Sequence, residues 1–440
     1  MTYEVINKLV NSCRNEIVHF LQDLIRAESY NPPGNEAEVA GVIADKLKEI
    51  GIEYEVIESA PKRANIVFTV DFGGGKTILF NGHMDVVPPG DLSKWKYDPL
   101  SATLVNGRVY GRGAVDMKGG LAAMIMSIIL YMRSEILLKE TSGRVVMAAT
   151  ADEEMNSDYG LKYLVKVKSE ALRADYAIIG EPTGISGVGK TIVIGEKGDY
   201  EVHVKIHGKK AHSSIPSLGV NAVELACNFV HNLRKLKLPK VKPPISKYEL
   251  IRRFAAKGLR LQSNVPKGEF IYYLRALTET VYSATMISGG FKANVIPDEC
   301  EVVIDFRVLP GHKLEDVISA VEKLLKDLGI EKFDINVPVV FEPSVLEGGS
   351  DLIGAVKEGA RAFYGDDPVV TIAPGATDAR ILRNTLGIKT VLFGPGNGEL
   401  AHCDNEYIEV ADVLRSTKVY MYVIHKLLSG SKEGRLIKHT

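Results

Sequence analysis

Two histidines and a group of acids stand where strands or glycine-rich turns end, and these side chains together can bind cations. The apolar run from Ile78 to Gly82 leads into His83-Met84-Asp85. The two-residue period of a strand sets His83 and Asp85 on the same side, where a carboxylate can orient an imidazole. That pair alone would also suit a solvated loop. Downstream, Asp116 ends a glycine-dense turn, GRVYGRGAVD, ahead of an apolar helix that starts near Gly120. Its carboxylate is either free at the helix entrance or an ordinary N-cap. The apolar strand at 145–150 runs into Ala151-Asp152-Glu153-Glu154, three acids at the carboxyl end of a strand, where α/β enzymes place their sites. Adjacent carboxylates repel unless a cation or a proton separates them. Glu181 follows the strand at 176–180, and His402 sits in a glycine-rich loop before the last helix. Two histidines, one aspartate and two glutamates make an N/O ligand set suited to two zinc-like ions.

The elements that must hold these residues fall into two textures. Apolar residues recur at helical spacing over 5–24 and 36–50, and β-rich runs follow at 53–58, 65–70, 77–81, 145–150 and 176–180. Several of these runs are apolar on both faces and alternate with helical stretches at 120–134 and 159–166, so they predict an α/β layer around a central sheet. The pattern changes at Gly198, where DYEVHVKIHG alternates strictly, as a half-buried strand does. A helix at 219–236, strands at 281–287 and 301–308, a helix at 314–328 and a strand at 333–340 then suit a small sheet with two helices on one face. The α/β texture returns with a helix from 351 to 363, a strand near 390–393 and a helix over 410–428. This order predicts a discontinuous first domain, 1–197 with 343–440, which holds the cation-binding candidates, and an inserted unit, 198–342, which itself carries a Pro- and Lys-rich insertion at 238–267.

Composition excludes several classes. With 54 Lys+Arg against 55 Asp+Glu, the chain of 440 residues has no basic field for a nucleic acid. The start lacks the layout of a secretory signal, and the longest apolar stretch, 121–132, is too short to span a bilayer, so no membrane partner is expected. Cys13, Cys227, Cys300 and Cys403 show no C-x-x-C spacing, which fits a reducing cytosol.

The motifs NGHMDVVPPG, GRVYGRGAVDMKGGLAAM, TADEE, IIGEPTG, GKKAHSSIPSLGVNAV, ANVIPDECEVVIDFRVLPG, PGATDAR and AHCDNE occur in an order that resembles peptidase family M20. This is the co-catalytic zinc aminoacylase and carboxypeptidase family, which includes acetylornithine deacetylase and succinyl-diaminopimelate desuccinylase. The resemblance implies a mixed-sheet catalytic domain of zinc-aminopeptidase type with an inserted ferredoxin-like α+β domain serving as lid and dimer interface. It implies that His83, Asp116 and Glu181 hold one metal and Asp116, Glu154 and His402 the other, with Asp116 as bridge and a cis peptide between Asp116 and Met117. Glu153 matches the general base and Asp85 the carboxylate behind His83. Asn294 and Arg307 match substrate-touching residues, and His212 matches a donor to the oxyanion that often acts across a homodimer. The expected cofactors are two divalent ions per subunit, zinc first and cobalt or manganese as alternatives. Two such ions about 3.5–4 Å apart would acidify a water and stabilise the oxygens of a tetrahedral intermediate, while one glutamate moves the proton. The expected reaction is hydrolysis of the amide of an N-acyl amino acid, with a dipeptide or C-terminal peptide bond as the alternative substrate and a non-catalytic metal-binding scaffold as a third reading.

Other residues carry weaker signals. Arg380 rivals Arg307 as an anchor for a substrate carboxylate, with the alternative for Arg307 being an ion pair to Asp305 on its own sheet. Gly375 to Thr377 could offer backbone groups to substrate. Trp95 and Tyr97 read as loop packing, and Cys403 as a thiol beside a ligand. Residues 184–191, GISGVGKT, satisfy the phosphate-loop pattern, but a β-branched, glycine-broken stretch follows where a helix is required, so the match is expected to bind nothing.

Overall fold

A computed structural model describes residues 2–256 and 267–429 of the chain. Ten strands form a mixed sheet along the path Tyr54–Ala60, Arg63–Asp71, Arg144–Thr150, Thr77–His83, Tyr176–Ile179, Lys389–Leu392, Gly189–Glu196 and Ser344–Val345. Gly184–Ile185 and Val369–Ala373 also pair with Gly189–Glu196. Its three central neighbours, Arg144–Thr150, Thr77–His83 and Tyr176–Ile179, are parallel, with His83 opposite Thr150 and Asn81 opposite Ile179. Their carboxyl ends therefore lie side by side.

Helix Gly119–Met132 is buried on nearly every side, packed against helix Val410–Leu428 and the strand Thr77–His83, which is why it reads as apolar all round. Its first turn comes so close to the sheet that a Cβ on Gly120 would lie 2.0 Å from the Gly180 carbonyl oxygen. The helical run from Ala114 to Met132 is longer than the stretch read as too short for a bilayer. By length and composition it could span one, yet most of it is buried inside the protein.

A second sheet is wholly antiparallel, in the order Val281–Gly289, Glu299–Val308, Gly198–His207, Phe333–Phe341. Tyr200, Val202, Val204 and Ile206 point into a separate core with Phe229 of helix Ala222–Asn232 and Val321 and Leu325 of helix Leu314–Asp327. The alternation of the strand leaves Glu201, His203 and Lys205 on its other, wetter face. All strands of this sheet lie between 198 and 341, and the large sheet draws its strands from both sides of that stretch.

The insertion contains helices Lys247–Ala256 and Lys267–Thr278; residues 257–266 lie outside the described part. Helical structure thus runs past 267, the expected limit, to Thr278. Leu250, Phe254, Leu274 and Leu277 bury against Leu309, Val369 and Ile372, and Arg253 Nη1 donates to the Val370 carbonyl at 2.6 Å. The helix read over 5–24 is two helices, Thr2–Ser12 and Arg14–Arg26, broken at Cys13, a one-residue interruption that leaves the apolar period intact. Residues 184–191 form a β-hairpin rather than a phosphate loop. Lys190 spends its amino group on the Gly394 and Gly396 carbonyls and on Asp412.

Candidate metal centre

The site is assembled from the ends of the three central parallel strands and from two loops. His83 ends the strand Thr77–His83, Glu153 and Glu154 follow Arg144–Thr150, and Glu181 follows Tyr176–Ile179. Asp116 comes from the turn ahead of helix Gly119–Met132 and is joined to Met117 by a cis peptide. His402 comes from the loop between Lys389–Leu392 and the last helix, with a positive φ of 61°.

Asp116 lies between the two imidazoles. Its Oδ1 is 3.1 Å from His83 Nε2 and its Oδ2 is 3.3 Å from His402 Nε2. Glu181 Oε1 approaches His83 Nε2 at 3.5 Å, and Glu154 Oε1 approaches His402 Nε2 at 3.1 Å. Glu153 Oε2 lies farther out, 4.0 Å from His83 Nε2. Donor atoms of His83, Glu153 and Glu181 all lie within 4.8 Å of one another, as do those of His83, Asp116 and Glu154. Both glutamates of the acid run therefore reach the cluster, and proximity alone does not separate a ligand from a base.

The electrostatics are those of a cation-binding cage. Burial, with Asp378, Glu154 and Asp116 nearby, pushes Glu153 well above the carboxylate range, and burial with Asp116 and Glu153 does the same to Glu181. Burial and Asp116 raise Glu154 against the pull of His402. Against burial, hydrogen bonds from His402 and His83 hold Asp116 below its usual value. His402 is raised to about 10 by its hydrogen bonds with Asp116 and Glu154. His83 is raised despite burial by hydrogen bonds with Asp116 and Asp85. Four crowded carboxylates repel one another unless protons or cations separate them, and together with two imidazole nitrogens they make a donor set that divalent ions fit.

Behind the cluster, His83 Nδ1 is 2.8 Å from the Asp85 backbone carbonyl and 3.5 Å from its carboxylate. The Asp85 carboxylate accepts the backbone N–H groups of Glu153 and Glu154, each at 3.1 Å, and an N–H from Asn31 at 2.9 Å. It thus aims the acid run as well as backing the histidine. Asp152, first of the three acids, turns away from the cluster: it accepts Arg63 Nη2 at 2.7 Å and Asn31 Nδ2 at 3.0 Å, and Arg63 is also paired with buried Glu36. Sequence reasoning assigned none of Asn31, Glu36 or Arg63, because their only signal is polarity at positions that proved buried.

The substrate candidates divide. Arg380 is buried, donates to the Thr377 carbonyl at 2.7 Å, lies 4.2 Å over the Phe341 ring, and leaves its Nη2 without a hydrogen-bond partner among the described residues. Arg307 places two nitrogens on Asp305 at 2.9 Å each and a third on Asp199 at 2.8 Å. That is the ion-paired alternative, and it occupies the fork that would grip a carboxylate. Thr377 gives its N–H and hydroxyl to buried Glu196, so its backbone donor faces the protein, whereas Gly375 has open space where a Cβ would stand. His212 and Asn294 are exposed in the paired segments Ala211–His212 and Val295–Ile296 and beside them. No hydrogen bond or ion pair among the described residues joins either one to the metal cluster. Trp95 donates to the Pro89 carbonyl with Arg112 over its ring, and the Tyr97 ring meets that of Tyr110 at 5.0 Å, so both are loop packing. The exposed Cys403 thiol donates to the Glu399 carbonyl.

Known proteins resemble this chain in sequence and in fold. The model of peptidase family M20/M25/M40 matches residues 79–426, which takes in every residue of the cluster. The chain belongs to peptidase family M20. A probable succinyl-diaminopimelate desuccinylase of Staphylococcus aureus strain MSSA476 is 32% identical to this M20 chain over 398 residues, 90% of the chain and 93% of the relative. An uncharacterised metallohydrolase of Methanocaldococcus jannaschii is 28% identical, covering 93% of the chain and 98% of the relative. Among solved structures, an M20 family metallo-carboxypeptidase from Sulfolobus solfataricus shares the fold at TM-score 0.73 and 23% identity, covering 94% of this chain and 99% of the other. Human carnosine dipeptidase 1 does so at TM-score 0.70 and 19% identity, covering 97% and 99%. This M20 chain is a metal-dependent hydrolase.

Proposed function

We propose that this M20 hydrolase removes the acyl group of an N-acyl amino acid, with an N-succinyl substrate as first choice, using a two-ion centre. The carrying observation is Asp116, whose two carboxylate oxygens face different imidazoles as a bridging ligand's would. His83, Asp116 and Glu181 would hold one ion and Asp116, Glu154 and His402 the other, with zinc the first choice by ligand type. Ions bound there would acidify a water molecule and polarise the scissile carbonyl. Glu153, whose carboxylate stands 4.0 Å from His83 Nε2 where that of Glu181 stands at 3.5 Å, takes the water's proton on a carboxylate oxygen and later passes it to the departing amine nitrogen. Arg380, whose buried Nη2 has no hydrogen-bond partner among the described residues, would hold the substrate carboxylate, and Gly375, with open space at its Cβ position, would offer backbone groups.

The 198–342 unit is the proposed lid. His212 Nδ1 accepts the Ser214 backbone N–H at 3.2 Å, and its Nε2–H would donate to the oxyanion. Asn294 stands beside it, its carbonyl accepting the Ser213 N–H. The outer strand Val281–Gly289 leaves Met286 and Ile287 exposed, and Phe291 follows at 75% exposure. An apolar edge with no strand partner among the described residues supports a homodimer, in which His212 would reach the neighbouring site.

Purified protein loaded with zinc, cobalt or manganese and assayed on N-succinyl and N-acetyl amino acids and on dipeptides tests the reading. Preference for the N-succinyl compounds is expected, as the desuccinylase name of the Staphylococcus aureus relative suggests. Cleavage of dipeptides with no action on any acyl amino acid would replace it with the dipeptidase or carboxypeptidase alternative.

A further inference from the structure

We propose that Glu406 is a positioning residue of the metal centre: its carboxylate shapes the turn that presents Asp116 and, through Arg112, sets the loop that presents His402 against it. The proposal rests on the ligand assignment given above. Glu406 is fully buried. Its Oε1 accepts the backbone N–H groups of Val115 at 2.7 Å and Asp116 at 3.1 Å, and its Oε2 accepts that of Gly113 at 3.2 Å. The turn needs such an acceptor. Gly113 has φ +83°, and Asp116 and Met117 leave helical geometry, so these N–H groups lie ahead of the regular helix, where intrahelical acceptors run out.

The same Oε2 receives Arg112 Nη1 at 2.6 Å. Arg112 reaches on to the other ligand loop, with Nη1 donating to the Cys403 carbonyl at 3.2 Å and Nη2 to the His402 carbonyl at 3.4 Å. One carboxylate–guanidinium pair therefore joins two ligand loops that stand far apart in the chain. In the same arrangement Asp116 lies between His83 and His402.

Each oxygen of Glu406 faces two donors, and this makes the substitution by glutamine informative. Glu406→Gln keeps the size, but an amide must aim its NH2 either at Val115 and Asp116 or at Gly113 and Arg112, donor against donor. Arg112→Lys keeps a cation for Glu406 and all three backbone hydrogen bonds, while an ammonium lacks the fork that spans both carbonyls.

The test is titration of zinc into the full-length metal-free protein, with the visible spectrum of the cobalt-loaded form as a second readout and circular dichroism to verify folding. Folded Glu406→Gln should bind both ions about 10–100-fold more weakly, the usual loss when a group behind a ligand is removed, because Asp116 is shared. Arg112→Lys should weaken only the ion that His402 holds and alter the cobalt spectrum accordingly. Asp116→Asn and His402→Ala run alongside: if they leave zinc binding unchanged, the ligand assignment itself fails. If they weaken binding while folded Glu406→Gln and Arg112→Lys bind as the parent does, the positioning role is overturned. Should Glu406→Gln not fold, Arg112→Lys decides alone, and parental affinity for both ions rejects the proposal.

Discussion

Glu153 and Glu154 are neighbours in sequence with different surroundings. Glu154 Oε1 sits 3.1 Å from His402, while among the described residues the Glu153 carboxylate accepts no hydrogen bond and has His83 at 4.0 Å. Glu153→Gln should therefore abolish turnover and keep both ions, and Glu154→Gln should weaken one ion; metal analysis after dialysis beside a rate measurement checks the pair, and reversed phenotypes would exchange the two roles. The arginines separate in the same way. Arg380→Lys should raise KM for a carboxylate substrate about tenfold or more, as expected for a lost charged hydrogen bond. Arg307→Lys should instead lower the melting temperature, because it loosens links to Asp199 and Asp305. A larger KM change for Arg307→Lys would return the anchor to that residue. Residue types identified the cluster, but they did not show that the Arg307 fork is filled and a nitrogen of Arg380 is not, since that depends on which side chains fold together.

Helices Arg14–Arg26 and Glu36–Glu49 and the end of Gly119–Met132 meet at Glu16, which takes a two-pronged contact from Arg133 at 2.7 and 2.9 Å and one from Lys46 at 3.0 Å. The Arg133 hydrogen bond, outweighing partial burial, lowers Glu16 to about 2. A carboxylate lowered on folding stabilises the native state above its unfolded value near 4.5, and that contribution fades as pH falls toward 2. With both partners partly exposed it amounts to about 0.5–1 kcal/mol. Unfolding free energies of the parent and Glu16→Gln from denaturant titrations should differ by that amount at pH 7 and converge near pH 2; an equal gap at both would reject the ionic account. Most elements were legible from period alone, the helix Val410–Leu428 to the residue. The strand Val369–Ala373 and the helix Lys267–Thr278 are among those that were not. The first pairs at the far end of the sheet, and the second derives its apolar contacts from both that strand and Leu309.

At the scale of the molecule, the exposed His212 lies in the small antiparallel unit, while the cluster lies at the strand ends of the large sheet. If His212 donates to the oxyanion of a neighbouring subunit, His212→Ala should lower kcat about 10²–10³-fold with metal content unchanged. Mixing it with Glu153→Gln should then partly restore activity, since a heterodimer would hold one site with both defects and one intact site. A mixture shown to have exchanged subunits and still inactive would reject action in trans, and a fully active monomer would reject the dimer.

By itself the sequence determined the candidate ligand types, their placement at strand ends and in glycine-rich loops, and the change of sheet at Gly198, because periodicity and residue chemistry are local properties of a chain. Tertiary structure decided which groups meet. It set Asp116 between His83 and His402, turned Asp152 away toward Arg63, and brought Glu406 under the turn that presents Asp116. Such contacts join residues far apart in the chain, and a buried polar group declares its partner only when folding removes water and leaves one donor or acceptor within reach.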